Sequence, residues 1–302
     1  MSQSIDSYAT LEAALQDRPV AALFLDAYGV FWAGNAQGVF QGAESVMARL
    51  VASGKIIGIL SNSTQFSSKE IEKYAKRGVI QGKHFHFLLT SGDLAREMVT
   101  SNSLPFPTPQ KKYVLFCPTT ARYSPPSSLF DSSPFQETSD SFQADFIYVN
   151  VPHIDDIDQV DPSLFRPMVE RWVSSRLPMV CANPDHFAHE GIPPRAVVRQ
   201  GAIATLYEEM GGRVFYIGKP FRDIFSKAFD QLNLLAHTEK QGVLMVGDTP
   251  ETDIRGARDF GIQASLITKT GIMAERILQR PDALRSLSPA DMPHFLIERL
   301  SS

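Results

Sequence analysis

Polar and apolar positions along the chain fall into a repeated unit. A short continuous apolar run stops at a polar cluster and is followed by a stretch of helical periodicity. Residues 19–25 (Pro-Val-Ala-Ala-Leu-Phe-Leu) end at Asp26-Ala27-Tyr28-Gly29. Residues 55–60 follow a helix-like stretch around 44–53 that Gly54 terminates, and they run into Ser61-Asn62-Ser63. The pattern returns at 241–247, which ends at Asp248 ahead of a helix starting near Thr252 or Asp253. Short apolar runs bounded by turn signals predict strands buried on both faces. Such strands, alternating with helices, predict an open parallel sheet covered by helices on both sides. Ligands of such sheets bind at the strands' carboxyl ends, so the three polar clusters are expected to converge.

Between these units the texture changes. Residues 100–142 are rich in Pro and Ser, including Ser124-Pro-Pro-Ser-Ser, and predict a loop-rich stretch. Two further strand-like runs, 145–150 and 177–182, flank a helix-like segment over 162–176, and Gly211-Gly212 closes a later helix. We therefore expect an inserted α/β domain over 91–213, interrupting a core made of 1–90 and 214–302. A chain of 302 residues is long enough for both.

Charge narrows the function. Lys+Arg 29 against Asp+Glu 33 leaves a formal charge of −4 and no basic stripe, which argues against nucleic acid as a partner. No apolar run is long enough to span a bilayer, and the first residues lack a leader's basic and apolar regions, so a cytoplasmic protein with no membrane partner is expected. The two cysteines, Cys117 and Cys181, are too far apart for a CxxC motif and are expected to be partly buried thiols.

The chemistry lies in the strand-end clusters. Asp26, with Gly29 permitting a tight turn, is a candidate nucleophile or metal ligand, although alone it could equally be a capping or surface acid. Ser61 and Asn62 offer a hydroxyl and backbone N–H groups of the kind that hold an anionic oxygen, or simply form a turn. Lys219, in Tyr216-Ile-Gly-Lys-Pro220, follows another short apolar run. Asp248 and Asp253 place two carboxylates at a strand end and a helix start, which suits a hard cation that takes oxygen ligands.

In order along the chain, Asp26-Ala-Tyr-Gly-Val, Ser61-Asn, Lys219-Pro and Gly247-Asp-Thr-Pro-Glu-Thr-Asp-Ile resemble the four motifs of the haloacid dehalogenase (HAD) superfamily. The insertion, with Thr90-Ser91-Gly92 at its start and Ala182-Asn-Pro-Asp185 near its end, is similar to the class IIA cap of the NagD-like and 4-nitrophenylphosphatase-like branch. This resemblance implies a Rossmann-like parallel-sheet core with an inserted α/β cap. It implies Mg²⁺-dependent hydrolysis of a small phosphorylated metabolite, in which Asp26 attacks phosphorus and the resulting aspartyl-phosphate is hydrolysed by water. Ser61, Asn62 and Lys219 would bind the phosphoryl oxygens. Mg²⁺ would be held by Asp26, the backbone carbonyl of Tyr28 and Asp248, with Asp253 binding through water or orienting the metal or Lys219. Asn183, Asp185 and His186 of the cap would contact substrate, and a homodimer formed through the cap is compatible with the family.

One position departs from the pattern. Phosphatases of the superfamily carry a second Asp two residues after the nucleophile as general acid and base, and this chain has Tyr28 there. A phenol can donate a proton but is a poor base at neutral pH. Asp26-Ala-Tyr-Gly is also similar to the first motif of 2-haloacid dehalogenases, whose Asp attacks carbon and needs no acid. Dehalogenation is therefore a rival, and a weakly active binder of a phosphorylated ligand is another. The metal-binding type of fourth motif and the large cap favour the phosphatase. Elsewhere, His84 and His86 alternate on an expected strand over 83–89 and are read as edge histidines rather than a metal pair. Phe31 and Trp32 are read as packing between cap and core.

Overall fold

The computed structural model describes residues 5–116 and 127–301. Strands β1 (Ser7–Thr10), β2 (Ala22–Leu25), β3 (Ile56–Ser61) and β4 (Phe87–Thr90) alternate with helices α1 (Leu11–Asp17), α2 (Ala43–Ala52) and α3 (Ser67–Ala75). Helix α4 (Ser91–Thr100) leads into a second sheet made of β5 (Lys112–Phe116), β6 (Gln136–Glu137), β7 (Phe146–Val149), β10 (Met179–Cys181) and β13 (Val214–Tyr216). Helices α5 (Ser127–Phe130), α6 (Arg166–Val173) and α7 (Gln200–Glu209) accompany it. Two antiparallel hairpins complete this part: β8 (His153–Ile154) with β9 (Ile157–Asp158), and β11 (Phe187–Glu190) with β12 (Arg195–Val198). After α8 (Arg222–Leu235) the chain returns to the first sheet as β14 (Val243–Gly247), β15 (Gln263–Ile267) and β16 (Phe295–Arg299), joined by α9 (Arg255–Phe260) and α10 (Gly271–Gln279).

The larger sheet is parallel throughout, in the order β1-β16-β15-β14-β2-β3-β4. Its central strands are buried on both faces, which is why they read as unbroken apolar runs. Within β2, Ala22 and Phe24 join one apolar cluster while Leu23 and Leu25 join the other, as the pleat requires. The first cluster continues past Leu94 and Ile217 to Tyr113, Phe146 and Tyr148 of the second sheet. Burying one apolar body across both parts ties them together.

Two sequence expectations differ from this picture. The apolar stretch before Lys219 was expected to open the core at residue 214, but Val214–Tyr216 pairs in parallel with Met179–Cys181 of the smaller sheet. A run that short has no periodicity to say which sheet it joins. The strand expected over 83–89 begins only at Phe87. His84 is buried rather than exposed, and its Nδ1 accepts from Ile80 N at 2.8 Å. His86 Nδ1 accepts from Ile57 N at 3.1 Å, so both imidazoles satisfy backbone. Cys181 is buried; Cys117 and residues 118–126 of the Ser/Pro-rich stretch lie outside the described residues.

Candidate active site

Strand β2 lies between β3 and β14, so Asp26, Ser61 and Asp248 emerge side by side at the same edge of the sheet. Lys219 arrives on the connection between β13 and α8 and is fully buried. Its Nζ donates to Asp26 Oδ1 at 2.6 Å and to Asp253 Oδ1 at 2.7 Å. Burial disfavours the ammonium, but Asp253 and Asp26 more than offset this and hold it above the ordinary lysine range. The Asn62 amide clamps the Lys219 peptide. Its Oδ1 accepts from Lys219 N at 2.7 Å, and its Nδ2 donates to Lys219 O and to Asp185 Oδ1, each at 3.0 Å. A side chain at Gly218 would place Cβ 2.5 Å from that Oδ1, and φ there is +117°, so glycine suits the approach.

Asp253 sits in a single wide turn, Pro250–Ile254, that leads into α9. Its Oδ2 accepts from Asp248 N and Thr249 N, both at 3.1 Å, so both its oxygens are engaged in orienting neighbours. Asp248 accepts from Thr249 Oγ1 at 3.0 Å and from Ile272 N at 2.6 Å. Gly29 (φ +74°) and Gly271 (φ +70°) press on this carboxylate: a Cβ at either would fall 2.1 or 2.0 Å from Asp248 Oδ2. Oxygens of Asp26, Asp248 and Asp253 all lie within 4.8 Å of one another. Burial pushes the Asp26 carboxyl well up despite Lys219, with Asp253 and Asp248 adding to the effect. Burial and then Asp253 push Asp248 up to about 7. An all-oxygen cluster with more negative than positive charge, in a cradle that a single Cβ would fill, fits a hard divalent cation.

A cavity of about 390 Å³ opens above these groups, with Asn183, Asp185, Glu190 and Gln200 on its far wall. Two polar ties close that wall onto the core. In the first, Tyr28 Oη donates to Asn35 Oδ1 at 3.1 Å, and Asn35 Nδ2 donates to Glu190 Oε1 at 2.8 Å. Glu190 also faces Arg199, which donates to Asp158 Oδ1 at 3.0 Å. In the second, His189 Nε2 and Ala196 N meet Glu275 Oε2 of α10 at 2.7 and 3.2 Å. Lys73 pairs with Glu70, reaches Tyr28 Oη at 3.4 Å and lies over the rings of Tyr28, Trp32 and Tyr74. Burial, together with Glu70 and Glu190, holds the Tyr28 phenol well above its ordinary range, so it stays protonated.

A family model described as HAD-hydrolase-like matches residues 216–301, the segment that carries Lys219, Asp248 and Asp253. The whole chain is similar to the crystal structure of a haloacid dehalogenase-like hydrolase from Brucella suis 1330: TM-score 0.76, 26% identity, covering 97% of this chain and 99% of that one. Residues 216–301 thus match the HAD-hydrolase-like family, and along its whole length the chain is similar to a haloacid dehalogenase-like hydrolase. The hydrolase also shares its fold with a possible sugar phosphatase from Cytophaga hutchinsonii ATCC 33406 (TM-score 0.72, 18% identity, 98% and 99% of the two chains). A glycerol phosphate phosphatase from Mycobacterium tuberculosis, solved with magnesium, matches at TM-score 0.61 and 15% identity over 93% and 75% of the two chains. No curated protein matches the hydrolase by sequence.

Among the expected site residues of this HAD hydrolase, Asp26, Tyr28, Ser61, Asn62, Asn183, Asp185 and Asp248 line one cavity. Lys219 and Asp253 lie behind Asp26, fully buried. His186 differs: it lies in a neighbouring crevice with Phe221 and Arg276 and meets Thr205 Oγ1 at 3.1 Å. Phe31 and Trp32 also differ, because they pack on Tyr74 inside the core instead of against the cap. Ser61 Oγ accepts from Ser63 N at 3.2 Å. Sequence reading missed Asn35, Glu70, Lys73, Glu190 and Arg199. None lies in a recognisable motif, and only the folded chain brings them together.

Proposed function

We propose that this hydrolase is a Mg²⁺-dependent phosphohydrolase that acts on a small phosphorylated metabolite through an aspartyl-phosphate on Asp26. The observation that carries the proposal is the buried Lys219 ammonium clamped between Asp26 and Asp253, with Asp248 alongside. We also take residues from Ser91 to Tyr216 as the cap.

Lys219 fixes Asp26 by one carboxylate oxygen, and an oxygen of that carboxylate attacks phosphorus. As the bond from phosphorus to the leaving oxygen breaks, Lys219 and the Ser61 hydroxyl offset the charge that grows on the phosphoryl oxygens. The Asn62 side chain is committed to the Lys219 peptide and to Asp185, so it contributes by holding Lys219 in place rather than by touching phosphate. Mg²⁺, held by Asp26, Asp248 and the Tyr28 carbonyl, would neutralise phosphoryl charge and draw substrate and nucleophile together. The Tyr28 hydroxyl proton is directed at Asn35, so the leaving oxygen takes its proton from water, and esters of acidic leaving groups react fastest. Water then attacks the aspartyl-phosphate, releasing phosphate and restoring Asp26.

The test is phosphate release from p-nitrophenyl phosphate and a panel of phosphometabolites, with Mg²⁺ or with chelator, beside chloride release from 2-chloropropionate. Mg²⁺-dependent phosphate release that Asp26→Asn lowers by on the order of 10³-fold or more is expected. Metal-independent chloride release would establish the dehalogenase instead. Mg²⁺-dependent ligand binding without either product would establish a binder.

A further inference from the structure

Resting on the phosphohydrolase reading, we propose that Gln200 is the residue that recognises the leaving group, its Nε2 amide donating to an uncharged acceptor oxygen of the substrate such as a hydroxyl. Gln200 opens α7, is fully buried and lines the same cavity as Asp26. Among the described residues, its Nε2 has no hydrogen-bond partner. A buried amide left without an acceptor costs stability, so its retention calls for an occupant that supplies one.

Neighbouring hydrogen bonds settle which end of the amide is left without a partner. Asp185 N, which can only donate, meets Asn183 Oδ1 at 3.0 Å. That fixes Asn183 Nδ2 toward Gln200, where it donates to Oε1 at 3.1 Å. Turning the Gln200 amide over would set two NH₂ groups against each other, so Nε2 is the group left over. Backbone packing holds the pair in place. Gly201 N donates to Asp185 O at 3.1 Å, and a Cβ at Gly201 would lie 2.0 Å from Pro184 O, so the start of α7 lies directly on the Asn183–Asp185 loop. That loop is joined to the phosphate-binding side through Asn62.

The local charges decide what kind of oxygen fits. Arg199, the residue before Gln200, is engaged by Asp158 and Glu190, and Lys73 is engaged by Glu70. Lys69 sits exposed at the rim. With the enclosed cations already facing carboxylates, a second anionic group on the substrate would meet Glu190 and Asp185 without a matching cation. A neutral oxygen meets no such penalty. Nε2 is covered in this conformation, and the substrate oxygen reaches it once the side chains over it part.

The experiment reads binding in the Asp26→Asn protein with Mg²⁺, by calorimetry, so that failure of turnover does not enter. Glycerol 3-phosphate and n-propyl phosphate have equal carbon skeletons and differ in their hydroxyls. The Asp26→Asn protein should prefer the hydroxylated ester by about tenfold in Kd, the value of one neutral hydrogen bond. Adding Gln200→Met, which keeps the volume and removes the donor, should bring the ratio to about one. Asn183→Ala, which frees the amide to turn, should lower the ratio as well. A preference that survives Gln200→Met, equal weakening of both ligands, or no preference at the start would overturn the assignment. Failure of phosphate release from every ester, with the ratio behaving as stated, would instead count against the phosphohydrolase reading alone.

Discussion

At the scale of single residues, Tyr28 is the position where this chain parts from the phosphatase motif it resembles, and its surroundings say what the change does. The hydroxyl bridges Asn35 and Lys73 while the ring lies under the Lys73 ammonium. Through Asn35 it joins the loop after Asp26 to Glu190 of β11. Tyr28→Phe should therefore leave the leaving-group dependence of turnover unchanged and cost less than about tenfold in kcat, with most of the loss in KM. A steeper dependence on leaving-group pKa in the variant would show that the phenol had been the proton donor. Tyr28→Asp should raise turnover of alkyl phosphates relative to aryl phosphates, measured as the ratio of their kcat values. Asp26, Ser61, Lys219 and Asp248 stood out in the sequence because each follows an apolar run, and Asp253 because it closes the segment that resembles a fourth motif. Gln200 and Glu190 were not, because what matters about them is an unmet donor and a partner from a distant segment.

Among the elements, the apolar runs that became β2, β3 and β14 were readable because strands buried on both faces need apolar residues at every position. Val214–Tyr216 shows the limit of that signal, since the same composition serves either sheet. The turns that position Asp248 could not be read at all. Gly29 reads only as a glycine that permits the turn after Asp26, and Gly271 as an ordinary loop glycine, until the Asp248 carboxylate is seen against both. Gly271→Ala should cost about 1–3 kcal/mol of stability from the positive φ alone. It should also weaken Mg²⁺ binding by more than tenfold through displacement of Asp248, and melting and metal titration would read the two effects separately. The β11–β12 hairpin is held by Glu275 at His189 and Ala196. Glu275→Ala should raise KM several-fold more than it lowers kcat, and hydrogen exchange should show faster opening of the hairpin amides.

For the whole molecule, the α/β architecture with a central parallel sheet was foreseen. The shared apolar cluster and the two polar ties were not, because both depend on how the two sheets meet. The acidic cluster has a consequence for stability. Burial, and then Asp253, push the Asp248 carboxyl of the folded protein up to about 7 from an ordinary 3.8. A carboxyl whose folded pKa is raised favours folding when protonated, so this contribution is present below pH 4 and is lost as pH rises through about 7. The chelated protein should thus lose thermal stability over that window relative to the Mg²⁺-loaded protein, the gap being widest above pH 7. Parallel melting curves with and without Mg²⁺ would show no divergence if the carboxylates do not hold the metal.

Strands β2 and β14 lie side by side, yet more than two hundred residues separate Asp26 from Asp248 along the chain. During synthesis the ribosome must deliver all of the inserted region before β14 emerges. Until then β2 has no neighbour on that side, Lys219 has neither Asp253 nor a finished sheet to rest on, and Asp26 lacks both Asp248 and Asp253. Closure of so long a loop makes this pairing a late, slow step. A nascent chain stalled anywhere before residue 243 would carry Asp26 and Lys219 without Asp248 or Asp253, so under the proposed mechanism it would be inert.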